Sequence, residues 1–234
     1  MQLSPRRLAI PILLIGLAPT PAFAARPFNT DDARVVDAGG CQIEAFVKKQ
    51  SRFSEREAWF LPGCNPGGKL ELTLGGMNIR NDAEGRASTL IAQGKALLRR
   101  LETDDYGVAL TLGAARQRPF GPDSGSHWSP FLNLITSVSL KGDAVVMHAN
   151  AGALDDRVAG LLRPTWGLGG EILVAPRLHM IVESYGQKGE KASQQIGIRF
   201  WAVPDRLQFD GTLGSQRSGP PGRNWMSLGL RFLF

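Results

Sequence analysis

The chain has 234 residues, 43% hydrophobic and 21% charged, with 28 glycines, two cysteines and a net charge of +6. This composition excludes a disordered chain, and two cysteines exclude both a four-thiolate zinc site and a disulfide-scaffold miniprotein. The basic residues are scattered and form no block, so no nucleic-acid partner is expected.

Residues 1–24 open with Arg6-Arg7, continue through an apolar run from Leu8 to Leu17, and close with Ala22-Phe23-Ala24. This is the layout of a secretory signal peptide cleaved after Ala24. The run falls well short of the ~20 residues of a spanning helix, and Pro11, Pro19 and Pro21 interrupt the segment. Export implies an oxidising compartment, where the two thiols, Cys41 and Cys64, are expected to pair as a disulfide.

Beyond residue 24 the chain has no window of 18 consecutive apolar residues and no long helical stripe. It alternates with a period of two, broken by Gly, Pro, Asp and Asn clusters. Near residue 70, Leu70, Leu72 and Leu74 oppose Lys69, Glu71 and Thr73. Further on, Trp166, Leu168, Ile172 and Val174 oppose Arg163, Thr165, Gly167, Gly169 and Glu171. Ile196, Ile198, Phe200 and Ala202 oppose Gln195, Gly197, Arg199 and Trp201. At the end, Met226, Leu228, Leu230, Phe232 and Phe234 oppose Ser227, Gly229 and Arg231. One face of each strand is apolar; the other accepts charge and glycine. A soluble sandwich needs bulk on its buried face, whereas a transmembrane antiparallel β-barrel puts the apolar face to lipid and the polar face to its lumen.

Turn signals count the strands. Tight breaks lie at 65–68, 102–105, 141–143, 175–177 and 204–206. Longer ones lie near 54–56, 81–86, 119–126, 155–160, 186–191 and 216–222. Short and long connections alternate, as expected for periplasmic turns and outer loops. Eleven connections give about 12 strands, with ten or fourteen as the neighbouring counts, in an all-β up-and-down barrel. The expected layout is a signal peptide (1–24), a periplasmic N-terminal segment (25–40) and an outer-membrane barrel (41–234). Cys41 would start the first strand and Cys64 end the second, which an antiparallel hairpin brings together. The terminal alternation ending in Phe232 and Phe234 resembles the assembly signal of bacterial outer-membrane proteins.

The segment Arg26-Pro-Phe-Asn-Thr-Asp-Asp-Ala33, followed by Gly40-Cys-Gln-Ile-Glu44 and later by Leu70-Glu71-Leu72, resembles the opening of a known family. This is the outer-membrane transporter family named for the phenol-degradation meta-pathway. The resemblance implies an outer-membrane barrel loosely related to channels for hydrophobic compounds, and a segment around Asp31-Asp32 that could tuck into the barrel from the periplasm. On local pattern alone, Asp31 and Asp32 read as a solvated turn or cap, ahead of a cation site.

The alternation assigns Glu44, Lys48, Glu71, Lys95, Arg99, His148, Asn150, Arg163, Glu171, Glu183, Arg199, Asp210 and Arg231 to the lumen. These charges are either solvated in a conducting pore or paired in a closed barrel. Inward glycines (Gly167, Gly169, Gly197, Gly229) leave room and favour the wet case. The expected function is a passive outer-membrane channel for small, hydrophobic or aromatic molecules; a closed structural barrel and a barrel-embedded lipid hydrolase are the alternatives. For the hydrolase, His127 and Ser129 share a face beside an outer loop, but Gly-x-Ser-x-Gly is absent, and no catalytic, metal or cofactor residues are assigned. The expected partners are outer-membrane lipid and lipopolysaccharide, the outer-membrane assembly machinery and a small-molecule substrate.

Overall fold

The computed structural model describes residues 28–50, 55–121, 125–216 and 223–234; the expected signal peptide lies outside the described residues. Twelve strands follow one another: β1 (Cys41–Gln50), β2 (Arg56–Cys64), β3 (Leu70–Asn81), β4 (Gly85–Arg99), β5 (Tyr106–Arg118) and β6 (His127–Leu140), then β7 (Val145–Asp156), β8 (Leu161–Ala175), β9 (Leu178–Gln187), β10 (Ser193–Val203), β11 (Leu207–Gln216) and β12 (Arg223–Leu233). Each pairs antiparallel with its neighbours in sequence, and β1 pairs with β12 from Gln42↔Leu233 to Gln50↔Trp225, closing the barrel. Closure removes every sheet edge, so each strand finds its hydrogen bonds without help from solvent.

The period-two pattern sets the faces. Leu74, Leu168, Leu213 and Leu228 are each at least 58% exposed, whereas Glu71, Glu171, Arg199 and Ser227 on the opposite face are buried. A soluble fold inverts this arrangement. Here the outward band is the apolar one and the interior is polar, the distribution a lipid-spanning barrel requires.

The five tight connections gather at the end of the barrel that holds Cys41 and Phe234, called the terminal end below. In the β6–β7 connection Lys141, Gly142 and Asp143 are all at positive φ (56°, 65° and 66°). Cys41 and Cys64 face each other across the β1–β2 ladder and are joined by a disulfide.

Residues 28–36, ahead of β1, run inside the barrel, the placement that the family resemblance implies for the segment around Asp31-Asp32. Phe28, Thr30, Asp32, Ala33, Val35 and Val36 are all buried. Two small apolar clusters hold it: Ala33 against Ala109 and Ile135, and Val36 against Trp201 and Leu233. The chain reverses at Gly39 (φ 78°), whose N–H donates to the Asn65 carbonyl, and enters β1 beside Phe234.

Leu168 sits 58% exposed in the outward band of β8. Leu168→Arg should therefore cost about 2–4 kcal/mol in a bilayer if this position lies near its midplane. Reversible denaturant unfolding from lipid vesicles measures it; unchanged stability would contradict the assignment of faces.

Candidate functional site

The alternation of twelve strands turns one polar face of the barrel into its lumen, and residues 28–36 cross it. Their backbone N–H groups leave water on entry and each needs a partner. The barrel wall supplies several. Asn29 N and Thr30 N donate to the Glu183 carboxylate at 2.9 and 2.7 Å. Asp31 N donates to Asn150 Oδ1 at 2.7 Å while Asn150 Nδ2 returns a bond to the Asp31 carbonyl at 2.9 Å. Ala33 N donates to Ser137 Oγ at 2.8 Å, and Val36 N to Glu71 at 2.9 Å. Side chains on β3, β6, β7 and β9 thus do for this segment what a neighbouring strand would do.

Charge adds to this. Lys95 Nζ on β4 lies 2.9 Å from Asp31 and 3.1 Å from Asp32. Asp32 is 2% exposed, so the solvated turn expected of Asp31-Asp32 is corrected: the pair is an internal counter-ion for Lys95. The space beside three of the inward glycines is also taken. A Cβ at Gly169 would sit 2.5 Å from the Phe28 ring, and one at Gly167 would sit 2.8 Å from the Thr30 hydroxyl. At Gly197 the same atom would meet the Gly211 carbonyl at 2.3 Å. The expected water-filled lumen is corrected at this level, because the space left by the absent side chains is taken by the plug and by neighbouring strands.

Behind the plug the wall charges pair among themselves. Arg199, fully buried, reaches Glu171 and Asp210, both at 2.8 Å. Gln208 Nε2 donates to the other Asp210 oxygen at 2.7 Å. His148 lies 3.1 Å from Glu171 through Nε2 and 2.8 Å from Ser137 Oγ through Nδ1, and Phe28 meets its ring edge-on at 5.9 Å. Arg231 Nε donates to Gln42 at 2.5 Å, with Glu44 at 3.7 Å.

Of the residues assigned to the lumen, Glu44, Glu71, Lys95, His148, Glu171, Glu183, Arg199, Asp210 and Arg231 are buried inside the barrel. Lys48 pairs with Glu57 at 3.0 Å. Arg163, nearer the end opposite the termini, pairs with Asp156 at 2.9 Å. Arg99 is a correction. The β4–β5 register shifts between Leu97 and Arg99, so strict alternation fails there. Its half-exposed side chain stacks on the Tyr106 ring at 4.0 Å and donates to Asp105 at 2.7 Å, at the terminal rim. The Tyr106 N–H, together with Arg99, holds the Asp105 carboxyl below its usual range.

The Ser137–His148–Glu171 chain was not foreseen, although Ser137 and His148 are direct partners in the β6–β7 ladder. Its hydroxyl is capped by the Ala33 N–H and carries no exposed surface. It is therefore part of the plug's seat. Of the hydrolase candidates, His127 is exposed at the start of β6, while Ser129 is buried and accepts from the Arg157 N–H at 3.1 Å. Phe232 and Phe234 stack on each other at 5.5 Å on the outward face.

Two spaces flank the plug. On one side, Asp32, Arg34, Glu44, Lys95 and Arg231 border a void of about 30 Å³, room for one or two waters. On the other, toward the end opposite the termini, lies a cavity of about 440 Å³, floored by Asn29 and Asp31. Gln93, Thr111, Asn133, Asn150, Thr165, Tyr185, Gln187 and Ser193 line it together with Phe131, Leu154, Trp166 and the exposed Glu190, a mixed wall of amides, hydroxyls and apolar side chains.

The family described as "Uncharacterised conserved protein UCP029691" matches residues 12–234. The chain belongs to that family. No curated protein sequence matches it. Among solved structures it is similar to the KdgM porin (TM-score 0.61, 8% identity, covering 82% of this chain and 99% of that one). It is similar to the NanC porin as well (TM-score 0.60, 9% identity, covering 81% and 98%). A third likeness is to the COG4313 outer membrane channel from Pseudomonas putida F1 (TM-score 0.57, 13% identity, covering 88% and 100%). At these identities the likeness shows a shared fold, the closed transmembrane-type barrel.

Arg199→Glu would set a third carboxylate beside Glu171 and Asp210. Breaking this buried cluster should cost on the order of 3–5 kcal/mol, seen as a lower denaturant midpoint. Wild-type stability of that variant would mean the cluster is solvated.

Proposed function

We propose that the protein is an outer-membrane channel for small molecules, exported by the cleaved signal peptide (1–24) and closed at rest by residues 28–36. The terminal end then faces the periplasm and the 440 Å³ cavity faces outward. One observation carries the reading: among the described residues the plug is held mainly by hydrogen bonds and ion pairs to the wall, with two small apolar clusters and the Phe28 ring beside them. A purely structural barrel has no need of an exchangeable polar seat and is better filled by apolar side chains. Polar contacts can be traded for water as a segment withdraws, at about 0.5–1.5 kcal/mol for each hydrogen bond.

The outer cavity mixes amides and hydroxyls with Phe131, Leu154 and Trp166, a lining that suits an uncharged, amphipathic solute. A more hydrophobic or aromatic solute follows from the distant relationship we infer to the transporter family named for the phenol-degradation meta-pathway, which rests on the opening motif alone. No enzymatic role is assigned, since the Ser137–His148–Glu171 chain lies under the plug and Ser129 is committed to the Arg157 N–H. The terminal Phe232 and Phe234 serve recognition by the assembly machinery.

Planar-bilayer recordings test this reading. The mature chain should be mostly closed with brief openings. Asp31→Asn combined with Asp32→Asn should raise the open fraction at least about tenfold, the change that ~1.4 kcal/mol of lost anchoring produces. Equal silence from both folded proteins would favour the closed structural barrel.

A further inference from the structure

Outward strand positions are apolar or neutral almost throughout, so the charged exceptions locate something other than lipid tails. Apart from Arg99, which the register shift carries out to the terminal rim, six are cations: Lys49 on β1, Arg56 on β2, Arg80 on β3, Arg86 on β4, and Arg116 and Arg118 on β5. All are exposed, and all lie toward the end opposite the termini. The single outward acid on a strand, Asp155 of β7, is paired with Arg157 at 2.6 Å. Outward positions of β8 to β12 carry no charge.

The first four cations stand shoulder to shoulder. Lys49 is the direct ladder partner of Arg56, Arg56 of Arg80, and Arg80 of Arg86. With strands roughly 4.8 Å apart, the row is about 15 Å long. Like charges directly opposite one another destabilise a sheet, and here three such pairs occur in succession. The acids beside the row are Glu55, which takes the Gln50 amide, and Asp82 and Glu84 in the β3–β4 turn. Among the described residues none of these forms an ion pair with the four. The row also dips into the apolar band: outward positions are uncharged over 162–174 on β8 but only over 41–47 on β1 and 58–64 on β2.

A groove of about 810 Å³ follows the same face, lined by Lys49, Arg56, Arg80 and Arg86 together with Val47, Met226 and Leu228; its one carboxylate, Glu57, is neutralised by Lys48 at 3.0 Å. Its rim is cationic and its floor apolar, continuous with the lipid-facing surface. Guanidinium groups bind phosphate bidentately, and the floor suits acyl chains. A second copy of the chain would fit poorly, since a two-fold contact through this patch sets the row against itself.

We propose that the outer face of β1–β4 binds the phosphate groups of an acylated glycolipid in the membrane's outer leaflet. This rests on the outer-membrane reading and not on channel activity. The anion relieves the mutual repulsion of the row, and the acyl chains lie over Val47, Met226 and Leu228.

The test is native mass spectrometry and binding titration of the folded mature chain in mild detergent. The probes are bisphosphorylated lipid A, its dephosphorylated form and inorganic phosphate. Wild type should prefer the bisphosphorylated lipid over both others. Arg56→Gln/Arg80→Gln/Arg86→Gln should bind it about tenfold more weakly, and a control, Arg157→Gln/Arg177→Gln, should bind normally. Heat-modifiable gel mobility confirms that each variant is folded. Indistinguishable binding by the triple variant, equal binding of dephosphorylated lipid, or dimerisation driven by the row would each overturn the proposal. Protein that fails to insert into vesicles would sink the outer-membrane reading instead.

Discussion

Everything inside this barrel answers to one constraint: charges that alternation points into a narrow lumen must find partners there. Twelve strands enclose too little water to solvate that many ions as bulk would. Part of the solution lies within the wall, where Arg199 bridges Glu171 and Asp210. The remainder comes from the chain's own N-terminal segment. It brings two carboxylates to Lys95 and backbone amides to Glu183, Glu71, Asn150 and Ser137. The plug and the lumen charges are one system, because each satisfies groups that the other leaves exposed.

That mutual satisfaction explains why a closed lumen remains compatible with transport. A plug seated by apolar packing costs the full transfer free energy to withdraw, roughly 25 cal/mol per Å². Hydrogen bonds exchanged for water cost far less, about 0.5–1.5 kcal/mol each. The two apolar clusters built on Ala33 and Val36 are small. They set the segment's register without locking it as a core would.

Much of the architecture was legible in the sequence because a period of two is a strong signal when one face must meet lipid. Twelve strands, the alternating short and long connections, and the Cys41–Cys64 hairpin all follow from it. Where the period is broken, the reading fails for a visible reason. Arg99 has inward parity, yet a register shift after Leu97 carries it to the rim, where Tyr106 and Asp105 receive it. Gly167 and Gly169 signal space but not its occupant, since Thr30 and Phe28 are distant in sequence and carry no periodic pattern. The buried state of Asp32 was hidden for the same reason: local pattern sees a turn, and only the barrel supplies Lys95. The cationic row lies in the same alternation, on the outward face.

The outer surface obeys the same logic with a different partner. Inside, like and unlike charges are balanced by the protein; outside, Lys49, Arg56, Arg80 and Arg86 are balanced by nothing among the described residues, which directs attention to the lipid around them. The central claim remains that residues 28–36 occupy the lumen. A Thr30→Cys/Gly167→Cys pair tests it most directly, because a Cβ at Gly167 would lie 3.4 Å from the Thr30 Cβ, about the separation a disulfide spans. The account predicts that this pair oxidises in the folded barrel and holds it shut until reduced. Two thiols that stay free, and equally reactive to a membrane-impermeant reagent, would contradict it.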